Sequence, residues 1–116
     1  MLKSEHRLRR SRDFTRTVRR GSAARAASVV VHAAVTEDSS PAKVGFVVGR
    51  AVGGAVVRNT VRRRLRHQMA SRMDQIPHGS TVVVRALPGA AGLSSESMGA
   101  DLQRALSSAF NRARSR

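Results

Sequence analysis

The chain has 116 residues, no cysteine, and 22 Lys and Arg against 7 Asp and Glu, for a formal net charge of +15. One compact domain spanning 1–116 accommodates that length, and the lack of cysteine excludes a disulfide scaffold, a thiol nucleophile and any Cys-ligated zinc or iron–sulfur centre. No apolar run approaches the roughly 18 residues of a membrane span, and no signal-peptide stretch follows the basic N-terminus, so a soluble cytoplasmic protein is the expectation.

In chain order, residues 1–10 read as an extended basic arm. Ser11 is placed as the N-cap of a short helix with Asp13 in its first turn, and Phe14 and Val18 share one face at i, i+4. Arg12, Arg16, Arg19 and Arg20 decorate the rest of this helix, and Gly21 is suited to end it in a left-handed cap. Residues 22–28 are small and carry no commitment to any element. Ser28–Thr36 is rich in β-branched residues and predicts a strand; Glu37–Pro41 has the composition of a turn, and Lys43–Arg50 predicts a second strand. The simplest pairing of those two strands is a hairpin.

Gly49, Gly53 and Gly54 form a joint before the clearest helix, Ala55–Met73. Its Val57, Val61, Leu65, Met69 and Met73 make an apolar stripe that should face a sheet. Arg58, Arg62 and Arg66 form a second stripe about 100° further round, and Arg63 sits on the side of Asn59. Thr81–Ala86 predicts a third strand and Leu87–Gly92 a loop. Ser94 or Ser95 caps a last helix with Met98, Leu102, Leu106, Ala109 and Phe110 on one face, and residues 112–116 form a basic tail. The order is α-β-β-α-β-α, an α+β domain with a mixed central sheet.

Charge is not spread evenly. Residues 1–25 hold 9 basic and 2 acidic groups, and residues 50–72 hold 7 Arg and no acid. A solvated helix face normally mixes signs, so two concentrated cationic blocks point to a polyanion, with nucleic acid ahead of an anionic membrane. Hydrolytic chemistry has little support: the carboxylates are scattered, and His6, His32, His67 and His78 are singletons without metal-ligand spacing. His32 lies on a predicted strand, where a packing role competes with RNA contact. A small ribosomal protein shares this size and charge. A DNA-binding regulator fits less well, since neither a helix-turn-helix spacing nor a dimerisation heptad occurs.

The segment Gly53-Gly54-Ala55-Val56-Val57-Arg58-Asn59-Thr60-Val61-Arg62-Arg63-Arg64-Leu65-Arg66 resembles the signature helix of the bacterial ribonuclease P protein family. Leu8-Arg9-Arg10-Ser11-Arg12-Asp13-Phe14 with Gly21 is similar to that family's opening helix, and Lys43-Val44-Gly45-Phe46-Val47-Val48 to its strand before the glycine joint. The family's Arg-Asn-Arg ends in Thr60 here, with Arg64 adding a guanidinium one turn later. The resemblance implies a left-handed β-α-β crossover around the Arg-rich helix and a large catalytic RNA partner that holds Mg²⁺ and the active site, this chain supplying no catalytic group and no metal ligand. It further implies contact with that RNA through Arg58, Asn59, Arg62, Arg63 and Arg66. A cleft for the single-stranded 5′ leader of precursor tRNA is implied at Phe14, Val18 and His32, with Arg12, Arg16 and Arg20 adding charge.

Overall fold

The computed structural model describes residues 2–36 and 38–115. Its elements are α1 (Ser11–Arg20), β1 (Ser22–Arg25), β2 (Val29–Ala34), β3 (Lys43–Val47), α2 (Ala55–Ala70), β4 (Thr81–Ala86) and α3 (Ser95–Arg114), with short 3₁₀ turns at Ser4–His6, Met73–Gln75 and Pro88–Ala90. The sheet order is β1-β2-β4-β3, antiparallel at β1–β2 and β2–β4 and parallel at β4–β3. The expected α+β domain with a mixed sheet is therefore present, with one strand more than the sequence suggested.

The expected hairpin between β2 and β3 is not. β4 lies between them, and α2 carries the chain from β3 to the parallel β4. Burial explains why. Val82, Val83 and Val84 are each at most 1% exposed, so β4 is covered on both faces and belongs at the centre of the sheet. β2 is occupied on one edge by β4 and on the other by β1, which it meets through a tight turn closed by Ala26 N–H donating to Val29 O at 2.9 Å. β1 itself has no β-branched residue. It forms because Ser22 and Ala24 alternate inward with Ala23 and Arg25 outward, small side chains that let α3 approach the sheet.

One face of the sheet carries Val29, Val31, Ala33, Val44, Val82 and Val84 into the core, where α3 supplies Met98, Leu102, Leu106 and Phe110 and α2 supplies Val61, Leu65 and Met69. Each fully buried Val, Leu or Met contributes about 1.5–3 kcal/mol, so three such residues pin α2 firmly. Val57 does not join them: it is 37% exposed in the first turn of α2, and the buried valine before the helix is Val52. Met73 is buried from the 3₁₀ turn after the helix. Ser94 is the N-cap of α3, its Oγ accepting from Ser97 N–H, whereas α1 starts after Arg10 with Ser11 already helical.

The second face is covered only in part, by α1. Thr17 Oγ1 donates to Thr81 Oγ1 at 2.8 Å, and Phe14 stands tip-first on Gly45. Gly21 ends α1 in extended backbone, not in a left-handed cap; its role is close approach, since a Cβ there would lie 2.4 Å from Thr17 O and 2.7 Å from Ala33 O. Nor are residues 2–10 a free arm. Leu2 and Leu8 are buried, Leu8 N–H donates to Val44 O at 2.9 Å, and Arg7 forms a parallel bridge with Val44, so this segment closes the outer edge of β3. At the other end Arg112 and Arg114 belong to α3 rather than to a tail, and Arg116, like Glu37 of the expected turn, lies outside the described residues.

His32 is 6% exposed on the α1 side of β2, with Nε2 3.4 Å from Arg85 Nη2 and a buried Nδ1 that has no partner. Burial foremost, and the Arg85 guanidinium second, hold its pKa below the usual 6.5.

Two expectations follow from this face. Replacing Gly45 by Val drives a side chain into the Phe14 ring, and overpacking of this kind costs about 1–3 kcal/mol. The thermal midpoint should drop by roughly 5–10 °C and recover in part when Phe14→Leu is added. For His32, the unfolded chain binds more protons than the folded one between the depressed native pKa and about 6.5. Stability should therefore fall as pH drops below 6.5, and His32→Gln should flatten that decline in urea titrations from pH 7 to 4.5; an unchanged slope means His32 does not titrate on unfolding.

Candidate nucleic-acid interface

α2 presents two kinds of arginine. On the flank facing α3, Arg64 donates to Leu93 O at 2.6 Å, and Arg72 donates to Gln68 Oε1 and Gln103 Oε1. On the opposite flank Arg58, Arg62 and Arg66 are half-buried along their stems, with Asn59 and Arg63 exposed beside them. Arg62 Nη1 donates to Asn59 Oδ1 at 3.1 Å, and the buried Arg58 Nε has no partner. Thr60 turns its hydroxyl back to Val56 O. The ion pairs Glu5–His6 and Asp101–Arg104 do not involve this helix, and among the described residues no carboxylate pairs with an arginine of α2. The first turn of α2 also lacks an acid, leaving the positive end of its dipole uncompensated.

Arg62 and Arg66 line a hollow of about 320 Å³ together with Phe14, Gly45 and, from the docked N-terminal segment, Arg7 and Arg9. The structure thus joins two groups that the sequence kept apart, the Arg-rich helix and the aromatic of α1. Arg7 and Arg9 were not singled out, although their alternation around a buried Leu8 is the period-2 signature of an edge strand.

The remaining residues of α1 divide by flank. Arg16 and Arg20 line a groove of about 530 Å³ with Asp13, Thr36, Thr81 and Ala113, beyond the end of β2. Val18, 39% exposed, lies on the other flank, on the side of His32 and Arg85, and Arg12 is exposed on the outer surface. Phe14, Val18 and His32 therefore border one region, and Arg16 and Arg20 do not. Besides the arginines of the hollow at Phe14, the sheet itself adds cations: one register row reads Arg25–Val30–Arg85–Val47 across all four strands, with Arg25 and Arg85 exposed. Two strand spacings set those guanidinium stems about 10 Å apart. Their signal in the sequence is an arginine at an outward period-2 position of each strand, and it becomes informative only once β1 and the strand order are known.

Such a surface, cationic, interleaved with apolar side chains and open on one side, can grip phosphates and lay bases against Phe14 and the valines. The opposite side of the molecule, the outer face of α3, mixes Glu96 with Arg104 and Arg112 among Ser and Ala.

Comparison with known proteins identifies the family of the chain. The family model described as Ribonuclease P matches residues 2–110. The chain is 49% identical over 114 residues to the ribonuclease P protein component of Streptomyces bikiniensis, covering 91% of this chain and 93% of that one. A comparable relative from Beutenbergia cavernae is 47% identical over 114 residues, covering 98% and 96%. In three dimensions the ribonuclease P protein of Staphylococcus aureus superposes with a TM-score of 0.79 over 88% of this chain and 93% of its own, at 22% identity, which speaks for the fold. With a family model spanning nearly all of its length and relatives near half identity, the chain belongs to the ribonuclease P protein family.

Proposed function

We propose that this chain binds the catalytic RNA of ribonuclease P through Arg58, Asn59, Arg62, Arg63 and Arg66, and the 5′ leader of precursor tRNA through Phe14, Val18 and the neighbouring sheet face, thereby assisting hydrolytic removal of the leader in the bacterial cytoplasm. The observation that carries it is the unpaired guanidinium flank of α2: five cationic or amide side chains held by a buried ridge, with no acid among the described residues to neutralise them.

The hydrolytic chemistry is assigned to the RNA. Asp101 is committed to Ser28 Oγ and Arg104, and Asp38 to Ser40. Among the described residues no three His, Asp or Glu side chains come together in a way that could hold a metal ion. In this reading any Mg²⁺ that the reaction uses is held by the RNA phosphates. What the protein contributes is electrostatic. Guanidiniums fixed on a rigid helix pair with phosphates without first losing much side-chain freedom, and each phosphate neutralised releases condensed counterions. Fields between exposed charges decay over about 8 Å at physiological ionic strength, so the benefit is confined to RNA in contact or nearly so.

Reconstitution tests this directly. Added to ribonuclease P RNA and precursor tRNA at low Mg²⁺ and moderate salt, the chain should accelerate leader removal; no acceleration overturns the reading and leaves a structural RNA-binding protein in its place. Arg58→Ala combined with Arg62→Ala should weaken binding to the catalytic RNA and reduce the slope of log K against log salt by about 1–2. An unaltered slope in a variant that keeps its thermal midpoint means those side chains do not meet phosphate.

A further inference from the structure

We infer that the outward face of α1 and the groove beside it dock the sugar–phosphate backbone of a paired segment of the catalytic RNA, with Arg12, Arg16 and Arg19 meeting phosphates and the groove receiving ribose. The inference rests on the functional reading above and adds to it a second RNA-binding surface, on another helix and away from the leader region.

Helical spacing gathers Arg12, Arg16, Arg19 and Arg20 within an arc of about 100°. All four are exposed; the arc excludes Thr17, the buried residue of the helix, and lies nearly opposite Phe14. Arg12, Arg16 and Arg19 have neither an ion pair nor a side-chain hydrogen bond among the described residues. The arc holds no carboxylate, since Asp13 falls on its flank, in the first turn, where the positive end of the helix dipole favours it. Successive turns set Arg12, Arg16 and Arg20 about 6 Å apart along the axis, so the row can follow one RNA strand from phosphate to phosphate.

Arg16 and Arg20 lead into the groove of about 530 Å³ beyond the end of β2. Small side chains, Ala33, Ala34 and Ala113, keep it open, and hydroxyls line it. Thr81 Oγ1 accepts from Thr17 at 2.8 Å and keeps its own O–H to donate. Ser22 has a buried Oγ without a partner, the kind of orphan that a bound polar group or its water satisfies. Hydroxyls beside a row of guanidiniums suit a ribose–phosphate chain, whose 2′-OH both donates and accepts.

What the surface lacks selects paired RNA. No aromatic lines the groove or shares the arc, so an unstacked base gains no stacking there, and the convex back of a helix does not enclose a single strand. Duplex RNA is held by its phosphates and 2′-hydroxyls, the groups that this face answers. The catalytic RNA is the better source of that duplex. The tRNA stem is common to precursor and mature tRNA, so gripping it would hold product as firmly as substrate and add nothing to selection through the leader.

The experiment titrates the full chain against the catalytic RNA over a range of salt and maps the complex by probing ribose reactivity along that RNA. Arg12→Ala/Arg16→Ala, at an unchanged thermal midpoint, should bind about tenfold more weakly and reduce the slope of log K against log salt by about 1–2. Arg12→Lys/Arg16→Lys, which keeps both charges, should restore the slope. Protection should be lost at a paired segment that Arg58→Ala/Arg62→Ala leaves protected, and the ratio of holoenzyme affinities for precursor and mature tRNA should move less than twofold. An unchanged slope, a Lys pair as weak as the Ala pair, or protection lost only in unpaired RNA overturns the docking surface. So does a loss confined to precursor, which returns the arginines to the leader, or a loss on both tRNAs at unchanged affinity for the catalytic RNA, which gives the face to the tRNA stem. A wild-type chain that fails to bind the catalytic RNA overturns the functional reading as well, whereas wild-type binding with an indifferent variant overturns this inference alone.

Discussion

The constraint on which everything else depends is the burial of β4 on both of its faces. Three consecutive valines, none more than 1% exposed, must be covered above and below and paired on both edges. β2 and β3 take the two edges, which separates the strands that adjacency in sequence would pair. β3 and β4 then run parallel, and a parallel pair needs a long crossover. The crossover is α2, held by Val61, Leu65 and Met69, so the strand that organises the core also fixes the rotation of the helix carrying the arginines. Turned by 100°, the same helix would bury Arg62 and expose Leu65.

The docked N-terminal segment follows from the same arrangement. Placing β4 at the centre leaves β3 at the edge, with unpaired backbone groups that invite association with other chains. Residues 2–10 answer one of them with Leu8 N–H on Val44 O, and Leu2 and Leu8 are buried. A backbone need and an electrostatic opportunity coincide there: the strand-like alternation that buries Leu8 turns Arg7 and Arg9 outward beside Arg62 and Arg66.

How much of this was legible in the sequence depends on the range of the forces involved. α2, α3, β2, β3 and β4 announce themselves through apolar periodicity, a local property, and the α+β class follows. β1 is silent because Ser and Ala carry almost no strand preference; it is defined by its pairing with β2 and its packing under α3. Strand order is silent too, since the competition for the edges of β2 is settled by burial of β4, fifty residues away. The same gap separates residues that the sequence groups together. Arg16 and Arg20 share a helix with Phe14 but not a flank, whereas Arg25 and Arg85 come from distant strands and meet in one register row. The flank that the arginines of α2 share was readable because a helix face is determined within a few turns; the exposure of Val57 was not, because how far the core extends beneath α2 is set by other elements.

The arginines can be sorted by what they touch. Those that hold the fold together, Arg64, Arg72 and Arg112, donate to backbone carbonyls or side-chain amides, and carboxylates are almost unused for this purpose: the buried Asp101, tied to Ser28 and Arg104, sits on the α3 side. Neutral acceptors anchor a guanidinium without cancelling its charge, so the structural arginines still add to the field around α2. A domain that secured the same contacts with Asp or Glu would be no less well packed, but each pair would subtract from the potential at α2 and from the attraction to phosphate over the few ångströms that salt allows. The cost is self-repulsion in a compact body of formal charge +15, which salt or a bound polyanion would screen. On this view the scarcity of internal ion pairs couples stability to the polyanion: whatever binds the α2 flank also discharges the fold.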